Sequence, residues 1–386
     1  MHGAFVLFQG VKRPKIAFSI PMVSFALAAS LAFGFREPFH RLVQILPTVH
    51  YNSALQERSI DEAARLGRGI TFSFGPTDGA GVFAQARFPQ WRYFDPVMDR
   101  AIQKRLPKIR IKIGGGPPIH PTWQALNGNK PWSQPYRPPK GLWKRLTEYK
   151  QQVIDRAFNK VKAAGLDPKD VLEIELATEP GKGGSGGPWS SASPYTYEAP
   201  YNVLPEGHWD KEFHEHLSYE CSNLDFKGLP VLSPSFEYQS KELFDEEMKT
   251  FSAPEGAAWR SKVTHWVVNI YVEGEANHSV RDVLITFRTK AMRARNLMWS
   301  NLAIGDTAKI SVGEFGLTPR TLKRSGSEQD EKFRGEVLRA CEDSLPGLGY
   351  VSSSLYTLVD DDFGLFDKAF RAKPALETYA PSRITQ

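Results

Sequence analysis

From about Tyr51 onward, short apolar runs alternate with longer stretches in which apolar residues recur every three or four positions. That is the pattern of strands interleaved with amphipathic helices. Strand candidates are 70–74, 109–113, 171–177, 229–232, 265–271, 309–312 and 353–358, and an eighth, nearest the N-terminus, is sought at 42–46, where the pattern is weak. The helix expected over 141–164 places Leu142, Leu146, Tyr149, Val153, Ala157 and Val161 on one face and stops at Gly165. A second, from Ser279 to about Leu297, opens with a serine followed three residues later by Asp282, resembling a capping box, and turns Val283, Phe287, Ala291 and Ala294 inward. A third, from about Asp330 to Leu345, buries Phe333, Val337 and Cys341 before Pro346 and Gly347 end it.

Strands alternating with helices imply a parallel sheet covered by helices. The expected fold class is therefore α/β, a single-domain (β/α)8 TIM barrel over 36–386. No internal repeat or long low-complexity linker divides it. The exception is 181–205, a run of Gly, Ser, Pro and aromatics; loops of that length inside a compact fold are commonly functional or disordered.

Composition changes little. With 386 residues, 41% hydrophobic and 24% charged, the chain is an ordinary globular one with ample core. Its net charge of +6 comes from 49 Lys and Arg scattered without a basic tract, so a soluble surface is expected and no nucleic acid. Gly181-Lys182-Gly183-Gly184 lacks the spacing of a phosphate loop, and no His/Cys ligand cluster is present, so no cofactor and no metal are expected. His214 and His216 are read as decoration of a surface helix. Cys221 and Cys341 lie in helical patterns three strand-helix units apart, too far to bridge, and are expected to be free, buried thiols.

The N-terminus bears on location. Lys12, Arg13 and Lys15 precede an apolar run over 16–35 with Ala and Ser at its end, the layout of an export signal. The run is nearly long enough to span a bilayer, but Pro21 and its serines favour cleavage or loose anchoring over spanning. It also fits a buried strand and helix of the fold. The domain reading is an export signal or membrane anchor over 1–35, followed by a barrel in a secreted, periplasmic or cell-surface protein.

Two glutamates carry the candidate chemistry. Glu179 ends the stretch VLEIELATEP and Glu314 lies in KISVGEFG; each closes a strand-like run and is followed at once by a turn residue. Side chains alternate along a strand, so Glu173, Glu175, Ala177 and Glu179 share one face while Leu172, Ile174 and Leu176 belong against the helices. In the seventh strand Ile310, Val312 and Glu314 are expected to share the inner face, with Gly313 on the other allowing close helix packing. Both carboxyls would then meet at the carboxyl-end rim, where barrels of this kind keep their active sites. One acid that protonates a leaving oxygen and one that attacks an anomeric carbon or activates water are the requirements of glycoside hydrolysis. Competing acids are Glu237, Glu273, Asp78 and Asp360-Asp361-Asp362, each read as a loop charge or an outer sugar contact.

From about Tyr93 to Tyr379 the chain resembles the retaining (β/α)8 glycosidases of clan A, which include family 5 cellulases and mannanases and family 39 β-xylosidases. In that clan the acid/base is the Glu of an Asn-Glu-Pro motif ending strand four, and the nucleophile is a Glu ending strand seven. Thr178-Glu179-Pro180 is similar to the first apart from its leading residue, and Val312-Gly313-Glu314-Phe315-Gly316 to the second. Glu175 matches a buried acid often found on that strand. Asn269 and Tyr271 resemble the end of strand six, where an aromatic hydrogen-bonds the nucleophile. Gly116-Pro117-Pro118-Ile119-His120 resembles the third-strand terminus of family 39, and Phe363-Gly364-Leu365-Phe366-Asp367 with Lys373-Pro374-Ala375 the segment after strand eight. The chain departs from the clan at Thr178, in place of an Asn that binds the sugar 2-hydroxyl, and at Tyr356-Thr357-Leu358, where many members place a Trp under the reacting sugar.

The resemblance implies double displacement on a β-linked oligo- or polysaccharide, with Glu314 as nucleophile and Glu179 as acid/base. Tyr271 would help hold Glu314 ionised, and the charge of Glu314 would keep Glu179 protonated. Among 9 Trp and 13 Tyr, the residues Trp123, Trp132, Trp189, Tyr195, Tyr197, Tyr201 and Trp209 cluster after strands three and four, as stacking partners for sugar faces would. Substrate contacts are expected from Thr178, Tyr271, Asn269, His120, Trp123, Trp189 and Tyr356. The loop after Glu179 would wall one end of the cleft and favour chain-end attack. The alternative is an exported barrel that binds sugar without cleaving it.

Overall fold

Eight parallel strands close into a barrel in sequence order, with the last paired back onto the first. They are β1 His40–Ile45, β2 Gly69–Ser73, β3 Ile109–Lys112, β4 Leu172–Glu175, β5 Val231–Glu237, β6 His265–Asn269, β7 Lys309–Phe315 and β8 Tyr350–Leu355. The computed structural model describes residues 38–45, 53–74, 91–114, 140–177, 208–238, 241–302, 304 and 308–380. All eight expected strands occur, with shifted ends. β4 starts at Leu172 because Val171 closes a short helix, Pro168–Val171, capped by Asp167 through its side chain. β5 runs on to Glu237 through Ser233 and Ser235, polar residues that an apolar-run criterion passes over.

The helices bury the faces their periodicity marks. In the helix Lys140–Ala163, Leu146, Tyr149, Val153, Ala157 and Val161 are buried, and Gly165 stops the chain's helical path at a φ of +74°. Ser279 caps the helix Val280–Leu302: its amide and hydroxyl donate to Asp282 Oδ2 at 2.9 and 2.7 Å. Val283, Phe287, Ala291 and Ala294 are buried, and the helix passes its expected end because Met298 and Leu302 extend the same stripe. The helix Glu328–Ser344 begins earlier than its apolar pattern suggests, under a capping box formed by Ser327 and Asp330, and buries Val337 and Cys341 as expected but Phe333 only partly. Each large apolar side chain fully buried this way contributes about 1.5–3 kcal/mol relative to exposure. Cys221 and Cys341 are free and buried.

One expectation fails on the helix His208–Asn223. His214 and His216 do not decorate a surface; they are 1% and 7% exposed. His214 Nδ1 accepts from Trp259 Nε1 at 3.0 Å, and His216 Nε2 lies 3.3 Å from Glu220 Oε1, which also takes the Lys150 ammonium at 2.5 Å. Polar partners from neighbouring elements let residues of low apolarity pack inward, which a periodicity argument cannot register. Among the described residues no group of His, Cys, Asp and Glu could hold a metal ion.

The barrel interior is unusually polar. Interiors of this architecture are normally filled by branched apolar residues, whereas here Arg110 donates to Glu173 at 2.9 Å and to Ser352 at 2.8 Å, and Ser352 donates to Ser311 at 2.8 Å. The cause is the alternation of β3 and β4. Ile109 and Ile111, like Leu172 and Ile174, join the outer core, so Arg110 and Lys112 face inward opposite Glu173 and Glu175 in the paired register. Burial would raise the carboxyl of Glu173, but the Arg110 charge and hydrogen bond together with the charges of Lys108 and His265 outweigh it and hold Glu173 below its ordinary value.

A second buried charge network ties β1, β2 and β8 to two helices. Glu342 accepts from Arg68 at 2.5 and 2.9 Å, from Ser353 at 2.7 Å and from Tyr379 at 2.9 Å. Burial pushes its carboxyl up, but Arg68 chiefly reverses this and leaves it below the ordinary 4.5. Glu342→Gln should therefore cost about 3–5 kcal/mol by stranding the Arg68 charge. A depressed folded-state value stabilises above the unfolded value and is lost as pH falls through the folded one. The deficit of the variant in urea unfolding should be full above pH 4.5 and shrink in more acid solution; a deficit independent of pH would count against this assignment.

The barrel belongs to the compact unit Phe39–Gln386. The expected export or anchor segment over 1–35 and the loop 181–205 lie outside the described residues. No described helix is long and apolar enough to cross a membrane.

Candidate active site

Glu314 reaches the barrel interior by a route that simple alternation does not supply. The expected inner set on β7 is wrong: Ile310 and Val312 join the outer core with Phe315, while Ser311 bonds Ser352 inside. Gly313 also faces inward, since a Cβ there would lie 2.4 Å from Val267 Cγ1 and 2.6 Å from Asn269 Oδ1. Strict alternation would then send Glu314 toward the helices. Instead the pairing with β8 slips, Val312 opposing Ser353 and Phe315 opposing Leu355, so 312 to 315 on one strand spans 353 to 355 on the other. An extra residue of this kind bends a strand and re-aims a side chain. Here it turns Glu314 inward, and Gly313 supplies the room for β7 to approach β6, just past which the Ile270 amide donates to the Glu314 carbonyl at 2.9 Å.

The Glu314 carboxyl is buried, 4% exposed, and held from two sides. Tyr271 donates its hydroxyl to Oε2 at 2.6 Å, and Lys112 donates Nζ to Oε1 at 2.6 Å. The Lys112 ammonium also lies 3.4 Å from Gln44 Oε1. Burial alone would raise the Glu314 carboxyl, but the Lys112 charge and hydrogen bond, then the bonds from Tyr271 and Gln44, outweigh it and set Glu314 below the ordinary glutamate value. The group is an oriented, desolvated carboxylate at neutral pH. That is what a nucleophile requires, since few competing water contacts must be stripped before it attacks.

Beside it stands Glu175, fully buried. Burial raises its carboxyl above the ordinary value; Lys112 and Arg110 oppose this incompletely, and the Glu314 charge adds to the rise. The two acids are thus pushed in opposite directions within the same interior, Glu314 down and Glu175 up.

The aromatic surroundings come from β6 and β8. Tyr271 packs edge-on against Tyr356 and Phe363 with ring centroids 6.1 Å apart in both pairs, and Tyr356 meets Phe363 at 5.3 Å. The Tyr356–Thr357 peptide is cis. Asn269 is buried against the Gly313 side of the site. The rival acids are occupied elsewhere or peripheral: Glu273 pairs with Lys290 at 2.8 Å, Asp361 with Lys368 at 2.9 Å, and Asp360 accepts the amides of Asp362 and Phe363 at 2.9 Å. Glu237 ends β5, half-buried.

The structure brings together Glu314, Tyr271 and Tyr356, with Asn269 nearby. Thr178, Glu179, His120, Trp123 and Trp189 lie outside the described residues, as do Asp78, Trp132, Tyr195, Tyr197 and Tyr201. On the fourth strand the described chain runs through Leu176 and Ala177, with Leu176 buried. Sequence reasoning passed over Lys112 and Gln44. A signal for Lys112 existed: Ile109-Arg110-Ile111-Lys112 alternates like Leu172-Glu173-Ile174-Glu175 with opposite charge, as adjacent interior-facing strands would.

No family model matches the sequence, and no curated protein matches it. Solved structures do share the fold. A family 1 β-glucosidase from Thermotoga maritima is similar with a TM-score of 0.58 at 12% identity, covering 91% of this chain and 98% of its own. A GH5_18 variant from Streptomyces cattleya, in complex with Manβ1-4GlcNAc, gives a TM-score of 0.59 at 12% identity over 90% of this chain and 80% of its own. The intracellular xylanase TsXylA from Thermoanaerobacterium saccharolyticum gives 0.52 at 13% identity over 89% and 96%. At such identities the likeness establishes the (β/α)8 barrel and nothing finer.

Proposed function

We propose that this chain is a retaining glycoside hydrolase acting on β-linked oligo- or polysaccharide through a glycosyl-enzyme intermediate. The observation that carries the reading is Glu314, a buried carboxylate held ionised by Lys112 and Tyr271 at the end of β7 in a parallel eight-stranded barrel. Structural neighbours named as a β-glucosidase, a xylanase and a protein bound to Manβ1-4GlcNAc support the same class of substrate.

In the proposed reaction a Glu314 oxygen attacks the anomeric carbon while Glu179, the expected acid/base, gives its proton to the departing oxygen. Water then attacks the glycosyl ester as Glu179 takes a proton back, freeing Glu314. Retention requires the two carboxyls about 5–5.5 Å apart. Tyr271, already bonded to the nucleophile, keeps Oε2 from rotating, which leaves one productive orientation. Tyr356 and Phe363, packed against Tyr271, supply an aromatic wall on which a sugar face can rest. Thr178 is assigned the 2-hydroxyl contact. The basic-then-apolar N-terminus places the enzyme outside the cytoplasm in this reading, secreted or surface-held.

Purified protein should be screened against β-linked nitrophenyl glycosides and polysaccharides, with the first-formed anomer read by proton NMR. Hydrolysis giving the β anomer first is the expected result. Release of the α anomer first would overturn the retaining mechanism. Tight oligosaccharide binding by calorimetry without hydrolysis over days would replace the enzyme by a carbohydrate-binding barrel.

A further inference from the structure

We propose that Lys112 is the positioning residue of this site, its single ammonium hydrogen-bonded to Glu314 and held only at ion-pair range from Glu175, so that one of the two carboxyls facing it is ionised at a time. The importance of this for catalysis rests on the reading of Glu314 as nucleophile; the charge arrangement itself does not.

The geometry is unequal in a telling way. Lys112 and Glu175 stand directly opposite on paired strands, yet Nζ lies 3.9 Å from Glu175 Oε1 and 2.6 Å from Glu314 Oε1. Neither Glu175 oxygen meets a donor in hydrogen-bonding geometry, although the Ser235 hydroxyl stands beside it. An ionised carboxylate at 0% exposure with so little company would carry most of its desolvation cost unrelieved. A protonated one does not. Among the described residues the neighbouring interior cation, Arg110, is taken by Glu173 at 2.9 Å. Among the described residues the charged and titratable groups facing Lys112 are therefore Glu175 and Glu314 with Arg110 beyond, and those around Glu314 are Lys112, Tyr271 and Glu175. With one ammonium between two acids, protonating Glu175 keeps this part of the interior neutral while Glu314 stays negative.

The arrangement predicts an exchange of partners. When the negative charge of Glu314 is removed, the ammonium is left without a counter-ion and Glu175 becomes its best one. Loss of that charge also occurs when Glu314 is esterified by a sugar, so Glu175 responds to the state of the nucleophile.

The test is a pH titration of the side-chain carboxyls by carbon-13 NMR on glutamate-labelled full-length protein, with Glu314→Gln and Glu175→Gln supplying the assignments. In the wild type Glu314 should titrate below the ordinary glutamate range and Glu175 above it. In Glu314→Gln the midpoint of Glu175 should fall by at least about one pH unit, the scale of an opposite charge gained at close range. In Lys112→Met the midpoint of Glu314 should rise by about one to three units, and the acid limb of kcat/KM should move with it, while Lys112→Arg holds both near their wild-type positions. A Glu175 midpoint unmoved in Glu314→Gln, or a Glu314 midpoint unmoved in folded Lys112→Met, overturns the proposal. If Lys112→Met does not fold, the Glu314→Gln arm decides alone. Absence of hydrolysis with the titrations as expected would remove the glycosidase reading and leave the shared ammonium standing.

Discussion

Glu314→Gln is expected to lower kcat by at least about 10⁴-fold, the scale on which removal of a covalent nucleophile acts. Gln keeps the shape and can still take the Tyr271 hydroxyl, but its neutral amide cannot form the glycosyl ester. The variant should fold, because losing the Glu314 charge leaves Lys112 a second carboxyl 3.9 Å away to pair with. Glu314→Gly opens a space where the carboxylate stood, and azide admitted there should attack the anomeric carbon from the same side. The new bond joins azide nitrogen to that carbon as the aglycone departs with a proton from Glu179. From a β-glycoside the product is the α-glycosyl azide, whose configuration NMR reads directly. Full activity in Glu314→Gln, or no azide adduct from Glu314→Gly with a substrate the wild type hydrolyses, would remove Glu314 from the nucleophile's role.

Glu179→Ala should act differently, and the difference identifies the acid/base. Proton transfer by a positioned acid contributes about 10²–10⁴-fold, and it matters most when the leaving group is a poor one. Natural oligosaccharides should therefore lose nearly all turnover in the variant. A dinitrophenyl glycoside needs no proton on departure, so its first step should proceed while the second, lacking a base to activate water, slows. A burst of phenol followed by a slow steady state is the expected record, with KM lowered as the glycosyl-enzyme accumulates. Azide needs no base and should restore turnover as the β-glycosyl azide. Equal losses across all leaving groups, without burst or rescue, would assign Glu179 a different role.

The places where sequence reading succeeded share one property: the information was local. Val283, Phe287, Ala291 and Ala294 recur at helical spacing and are all buried, and Leu172, Ile174 and Leu176 alternate with Glu173 and Glu175 as the strand dictates. Capping at Ser279 follows from two residues three apart. His214 and His216 went wrong for the opposite reason, because their burial depends on Trp259 and Glu220, partners that no spacing rule names for both. The resemblance to clan A pointed to Tyr271 beside Glu314, and the 2.6 Å bond places it there.

What the chain determined by itself is the alternation of strand and helix, hence a parallel barrel, and the presence of an acid at the end of the seventh strand, because periodicity and turn chemistry are written in neighbouring residues. What only the tertiary structure decided is the direction in which Glu314 points and the charge it carries. Direction depends on a slip between β7 and β8 and on the space over Gly313 beside Val267 and Asn269. Charge depends on Lys112, 202 residues earlier in the chain, reaching Glu314 across the barrel interior where burial makes a single ammonium decisive.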